Sequence, residues 1–342
     1  MINKVLIIAE AGVNHNGSLE IAKKLILAGA EAGVDYVKFQ TFKANKLVSK
    51  DAKKADYQKI NTKDENTSQF EMLKKLEMPE SWHHELIKYA ESLNVKFLST
   101  GFDEESIDFL DSINIDLFKI PSGEITNKPL LEHIAKKKKQ IIVSTGMANL
   151  EEVRAAIEVL QNNGIQKNSI TILHCNTEYP TPMLDVNLKA MLSLKKEFQV
   201  NIGYSDHTLG IEVPIAAVTL GATVIEKHFT LDKNMDGPDH KASLDTLELK
   251  QMVQSIRNIE MALSGNGIKE PSASELKNIQ IARKSIHTNK ALVKGDILKR
   301  EDLIMIRPGD GISPMDMDLY LNKQIASNLP KGHKVSKSDF IL

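Results

Sequence analysis

The chain has 342 residues, 42% of them hydrophobic and 26% charged, with 44 Lys and Arg against 45 Asp and Glu for a formal net charge of -1. That length suits one large domain plus a small one, and the charge balance argues against a nucleic-acid partner or a polybasic membrane patch. A lone Cys175 excludes an internal disulfide, Glu10 cuts the N-terminal apolar run short, and no stretch is long enough to span a bilayer; the expectation is a cytoplasmic protein.

Up to about residue 264, short β-rich runs alternate with segments of helical period. The runs are VLIIAE (5–10), YVKFQ (36–40), VKFLST (95–100), LFKI (117–120), IIVST (141–145), ITILHC (170–175), NIGYSD (201–206) and VIEKHF (224–229). Helical period shows in Ile21, Leu25, Ala28 and Ala32. It recurs in Val153, Ile157 and Leu160, opened by Asn149 with Glu152 three residues on and closed by Gly164. Asp245 and Glu248 repeat the capping spacing before Leu249, Val253, Ile256 and Leu263. Eight strand–helix units in residues 1–264 predict an α/β fold, a (β/α)8 TIM barrel.

Thr41 to about Glu77 is too long and polar for an ordinary connection after strand 2, and reads as a lid or as a solvated insertion with helix of its own. His83 and His84 read as helix surface, and KKKK (136–139) as a solvated helix end. Residues 265–280 read as a linker, and 281–342 as a small C-terminal domain. In that domain KGDILKREDL (294–303) is echoed by KGHKVSKSDF (331–340), which suggests two similar halves.

Barrels of this kind carry their chemistry at the C-terminal strand ends. Strand 1 ends in Glu10, strand 2 in Lys38 and Gln40, strand 4 in Lys119 followed by Ser122 and Glu124, and strand 5 in Ser144. Strand 6 ends in His174 and Asn176 ahead of Tyr179, strand 7 in Asp206 and His207, and strand 8 in Glu226 and His228, while Ser122, Ser144 and Ser205 could add hydroxyl donors. In VIEKHFT (224–230), strand alternation puts Val224, Glu226 and His228 on one face and Ile225, Lys227 and Phe229 on the other. His207 and His228 are either a divalent-metal pair or core histidines bonded to Asp206 or Glu226. Lys38 and Lys119 suit a phosphate or carboxylate; the alternatives are ion pairing with Glu10 and Glu124, or Schiff-base chemistry. The glycines of AGVNHNG (11–17) make no GxGxxG fingerprint.

Together AEAGVNHNG (9–17), VKFQTF (37–42), FKIPSGE (118–124), VSTGM (143–147), HCNTEYPTP (174–182), GYSDHT (203–208), EKHFTLDK (226–233) and GPDHKASL (237–244) closely resemble the sialic acid synthase, or nonulosonate synthase, family. ARKSI (282–286) and IRPGDGIS (306–313) resemble that family's C-terminal antifreeze-like (SAF, β-clip) domain. The resemblance implies a Mn2+ enzyme, with Mg2+ or Co2+ as alternates, that condenses phosphoenolpyruvate with the open-chain aldehyde of an N-acylated mannosamine-type sugar. It implies His207 and His228 as metal ligands. Lys38, Lys119, Ser122, Ser144 and Ser205 would hold phosphoenolpyruvate, and Glu10, Gln40, Tyr179 and Asp239 the sugar. Thr177 joins the substrate contacts, Glu124 is the first candidate for the carboxylate that assists water addition, and Glu10 is the second. Arg307 would reach in from the partner of a domain-swapped homodimer.

The expected product is N-acetylneuraminate, with N,N'-diacetyllegionaminate as the alternative; a Schiff-base aldolase and a non-catalytic carbohydrate-binding protein are more distant readings. Two departures stand out. Gly101 occupies a place where the family often has proline, and Asn176-Thr177 inverts a common Thr-Asn order.

Overall fold

Eight parallel strands form the barrel: β1 (Leu6–Gly12), β2 (Tyr36–Thr41), β3 (Lys96–Gly101), β4 (Leu117–Ile120), β5 (Gln140–Ser144), β6 (Ile170–His174), β7 (Asn201–Asp206) and β8 (Val224–His228). The computed structural model describes residues 4–62 and 68–341. Hydrogen bonding runs in the order β3-β2-β1-β8-β7-β6-β5-β4, and β3 lies against β4 to complete the ring. The chain divides into two units, Met1–Ser264 and Gly265–Leu342.

Outward-facing strand residues such as Ile7, Val37, Phe39 and Ile225 pack under the helices. Those helices begin where the sequence supplies caps. Asn149 and Glu152 make a reciprocal capping box at Leu150–Asn162, and Asp245 and Glu248 make another at Thr246–Ala262. Inward-facing residues Ile8, Tyr36, Leu98, Leu117, Ile142, Leu173 and Val224 form an apolar plug across the barrel. On β7 the corresponding position is Gly203, where a Cβ would stand 2.3 Å from the Val224 carbonyl oxygen and 2.6 Å from Leu173 Cδ2. Only glycine lets β7 close against β8 there.

The insertion after β2 carries helices Ala44–Leu47, Asp56–Thr62 and Gln69–Leu76, with residues 63–67 outside the described set. It is anchored rather than merely solvated. Phe42, Met72 and Leu76 pack with Val13, and buried Asn61 donates to the Pro238 carbonyl at 2.7 Å. His83, expected at a helix surface, is fully buried instead. Its Nε2 meets Thr41 Oγ1 at 2.7 Å and burial lowers its pKa to about 4, while His84 is exposed. The apolar face of Glu80–Ser92 turns inward through His83, Leu86 and Ala90, a helical period that the adjacent polar residues mask in the sequence.

In the C-terminal unit, the stretch read as a linker (265–280) carries most of helix Ala273–Ala282, which runs two residues past it and has no buried residue. The small core comprises Ile286, Leu292, Leu298, Leu303, Ile325, Leu329, Val335 and Phe340, around antiparallel β9 (Ser285–Thr288) and β10 (Leu303–Ile306). Both copies of the near-repeat fold alike. Gly295 and Gly332 take positive φ, and Asp302 and Asp339 accept from the Lys299 and Ser336 amides at 2.9 and 2.7 Å.

Gly203→Ala would force β7 from β8 or push Leu173 off its rotamer. Chemical denaturation should show a loss of about 3 kcal/mol.

Candidate functional site at the barrel mouth

One step of two residues beyond the apolar plug, every strand changes character. Ile8 is followed by Glu10, Tyr36 by Lys38, Leu98 by Thr100, Leu117 by Lys119, Ile142 by Ser144, Leu173 by Cys175, Gly203 by Ser205 and Val224 by Glu226. All eight successors line one cavity of about 310 Å³. A further step brings Gln40, Phe102, Pro121, Thr177, His207 and His228 to the same cavity, joined from the loops by Ser122, Tyr179 and Asp239. Period-two alternation therefore stacks an apolar floor, a charged ring and a histidine-bearing rim in successive layers.

The ring is a linked set of charges. Lys38 Nζ lies 2.5 Å from Glu10 Oε2, 3.7 Å from Glu226 Oε2 and 3.0 Å from Thr100 Oγ1. Lys119 Nζ lies 3.2 Å from Glu226 Oε1, which also accepts from Ser205 Oγ at 3.1 Å. Side-chain exposure of both lysines, Glu10 and Glu226 is 3–6%, so each charge relies on its neighbours rather than on water. Burial works against the charge of Glu226, yet Lys119 and Lys38 outweigh it and hold the carboxyl at about 2. For Glu10, burial prevails over Lys38 and raises the pKa, with the Glu226 charge adding to the rise. Burial also opposes the charge on Lys38, but Glu10 and Glu226 raise its pKa. Ser144 Oγ, buried in this ring, has no hydrogen-bond partner among the described residues.

Ser122 sits in a tight corner. Its Oγ accepts from the Gly146 amide at 3.0 Å and lies 3.2 Å from Cys175 Sγ. A Cβ at Gly146 would come within 2.6 Å of Thr177 Cγ2 and 2.8 Å of Ser122 Oγ, so the backbone approaches these side chains as glycine alone permits. Asn176 spends its side chain on the loop, accepting from the Glu178 amide at 2.7 Å, and Thr177 faces the cavity.

The rim histidines stand with ring centroids 5.5 Å apart. His207 Nδ1 donates to the Asn176 carbonyl, so Nε2 keeps its lone pair, 3.1 Å from the Tyr179 hydroxyl. Burial lowers the His207 pKa to about 4 and that of His228 well below its ordinary value. His228 Nδ1 is buried without a partner among the described residues. Two neutral imidazoles, one oriented by a carbonyl, fit a divalent cation. No cluster of three or more His, Cys, Asp or Glu suited to a metal occurs among the described residues, so such a cation would keep positions for water or substrate. Asp239 shares the cavity, its pKa raised to about 7 by burial and by Glu10.

Three readings of the sequence change here. Glu124 does not line the cavity: it sits on the turn Ser122–Glu124, where its Oε2 accepts from Asn127 at 2.6 Å. The carboxylate that pairs with Lys119 is Glu226, whose inward position the alternation of VIEKHFT already displayed. Thr100 and Cys175 were missed, although each lies two residues beyond a plug residue. Gly101, outside the run read as strand 3 (95–100), is part of β3, paired with Thr41. Arg307 lies in the C-terminal unit, exposed, donating from Nε to the Ala282 carbonyl at 2.9 Å.

Lys227, on the opposite face of β8, now has a role. It is fully buried with Asp206, forming an ion pair and donating to the Thr208 carbonyl at 2.7 Å. Asp206 in turn accepts from Thr208 N and Oγ1, each at 3.0 Å, which ties the turn after His207 to β8. Lys227→Met should cost about 3–5 kcal/mol in chemical denaturation by leaving Asp206 buried and unpaired. Adding Asp206→Asn should recover part of that loss in a double-mutant cycle.

A model of the NeuB family matches residues 25–269, and one of the SAF domain matches residues 283–341. The N,N'-diacetyllegionaminic acid synthase of Campylobacter jejuni is 55% identical over 327 residues, covering 96% of this chain and 97% of that protein. Its namesake from Legionella pneumophila is 53% identical over 329 residues, covering 95% and 92%. Among solved structures, the N-acetylneuraminic acid (sialic acid) synthetase of Leptospira borgpetersenii matches with a TM-score of 0.71 at 33% identity, over 81% of this chain and 90% of that one. With barrel and tail both matched, the chain belongs to the NeuB family, the sialic acid or nonulosonate synthases, and is an enzyme of the carbon–carbon bond-forming transferase class.

Proposed function

We propose that the chain condenses phosphoenolpyruvate with open-chain 2,4-diacetamido-2,4,6-trideoxymannose and water, giving N,N'-diacetyllegionaminate and phosphate. The observation that carries this choice of sugar is the identity of 55% and 53%, over nearly whole chains, to two proteins named N,N'-diacetyllegionaminic acid synthase. The sialic acid synthetase stands at 33%. This favours the second of the two products considered from the sequence over N-acetylneuraminate.

In this reading Lys38 and Lys119, with the hydroxyls of Ser122, Ser144 and Ser205, hold the anionic groups of phosphoenolpyruvate; Ser144 has a donor to spare. Gln40, Thr177, Tyr179 and Asp239 orient the sugar. His207 and His228 would hold a divalent cation, manganese first, with magnesium or cobalt as alternates. Such a cation supplies Lewis-acid polarisation of the aldehyde oxygen.

C3 of phosphoenolpyruvate forms the new bond to the aldehyde carbon, and positive charge develops at C2. Glu226, held at about 2, stays ionised beside that charge. Water adds at C2 and phosphate leaves by cleavage of the C2–O bond. Glu10, with its pKa raised, is the ring carboxyl suited to take the water's proton. It therefore replaces Glu124 as the first candidate.

Phosphate release from phosphoenolpyruvate should require the diacetamido sugar, stop when divalent ions are chelated and return with manganese. Release with N-acetylmannosamine alone would restore N-acetylneuraminate as the product; release that survives chelation would remove the metal. The domain-swapped homodimer makes a separate demand, since Arg307 would then serve the partner's barrel. Mixed and refolded Lys119→Ala and Arg307→Ala chains, each inactive alone, should recover roughly a quarter of wild-type activity through heterodimers with one intact site. No recovery would argue against the swap.

A further inference from the structure

The part of the cavity wall contributed by the insertion after β2 has a composition that the reaction itself does not need. Leu47, Met72 and Leu73 present apolar surface there, and two amides, Gln58 and Gln69, interrupt it. Their hydrogen bonding assigns the orientation of both. Gln58 Oε1 accepts from the Ala55 backbone amide at 3.0 Å, which only its oxygen can do. Gln69 Nε2 donates to the same oxygen at 3.5 Å. Gln58 Nε2 and Gln69 Oε1 are therefore left as a neighbouring donor and acceptor, with no bond to any other side chain among the described residues.

The N–H and carbonyl of an acetamido group point in opposite directions, so a donor and an acceptor supplied by two different side chains on an otherwise apolar wall suit it, with apolar surface left for its methyl group. Resting on the reading that the substrate is the diacetamido sugar, we infer that Gln58 and Gln69 bind its C4 acetamido group, with the C6 methyl against Leu47, Met72 and Leu73. The carbonyl of that acetamido group accepts from Gln58 Nε2, and its N–H donates to Gln69 Oε1. N-acetylmannosamine has a hydroxyl at C4, which lacks the longer reach of the acetamido carbonyl toward Gln58 Nε2, and a hydroxyl at C6, which brings a polar group against the apolar wall. A site built to hydrogen-bond a substrate group rejects an analogue that lacks it far more strongly than an apolar pocket rejects a missing methylene. Gln58 and Gln69 are thus specificity residues, carried by the insertion after β2 rather than by the strands that supply the charged ring.

The test is the ratio of kcat/KM for 2,4-diacetamido-2,4,6-trideoxymannose to that for N-acetylmannosamine, measured for wild type, Gln58→Met, Gln69→Met and the double variant, with the KM for phosphoenolpyruvate alongside. Methionine keeps the length and helix propensity of glutamine, and the single variants carry the same readout where the double variant folds poorly. The ratio is expected to fall at least about tenfold in the double variant, while the KM for phosphoenolpyruvate stays within about twofold. An equal loss on both sugars would mean that the pair holds the C2 acetamido group common to both, and would overturn the inference, as would an unchanged ratio. A wild-type enzyme with no preference for the diacetamido sugar would instead overturn the proposed function, and this inference with it.

Discussion

Two lysines and two glutamates lie inside the barrel out of reach of bulk water, and their mutual contacts are what make that arrangement tolerable. Removing charged groups from water is costly, and the cost is offset only when each ion finds opposite charge and hydrogen bonds in good geometry. Glu226 meets that demand for both lysines at once, and Thr100 and Ser205 supply further contacts. Such a ring has to be assembled from separate strands, because no single strand can place four charges at one depth. The barrel does so by repeating one rule, that side chains two residues apart share a face.

The same rule explains why opposite faces of β8 carry unrelated tasks. Glu226 and His228 turn into the cavity, while Lys227 between them turns toward the helices and is neutralised by Asp206. The two pairs share a strand but not a compartment. Asp206 lies next to His207 in the chain, so the outer pair also braces the turn that carries the rim. A structural ion pair of this kind is invisible to any search for catalytic groups, although it is as deeply buried as the charged ring.

Much of this was legible in the sequence. All eight runs became strands with ends shifted by a few residues at most, since apolar runs bounded by capping residues leave few other choices. The inward order Val224, Glu226, His228 was also readable. What could not be read was which partner each inward group meets. Partners come from strands far apart in the chain, such as Lys119 and Glu226, and their pairing depends on the closed ring rather than on local pattern. Glu124 illustrates the difficulty: a carboxylate beside a strand end is spent on its own turn through Asn127. His83 shows the converse, a polar residue whose burial follows from a helix face that propensity alone does not reveal.

The ring's two positive and two negative side chains nearly cancel. Until a cation sits on the rim histidines, a charge set with little net value projects little field beyond a Debye length, so it cannot draw an anion in from solution as a basic funnel does. Recognition of an anionic substrate would then begin only at contact, when its oxygens compete with Glu10 and Glu226 for the same ammonium groups. The discrimination is an exchange of partners at short range, and ionic strength has little purchase on it.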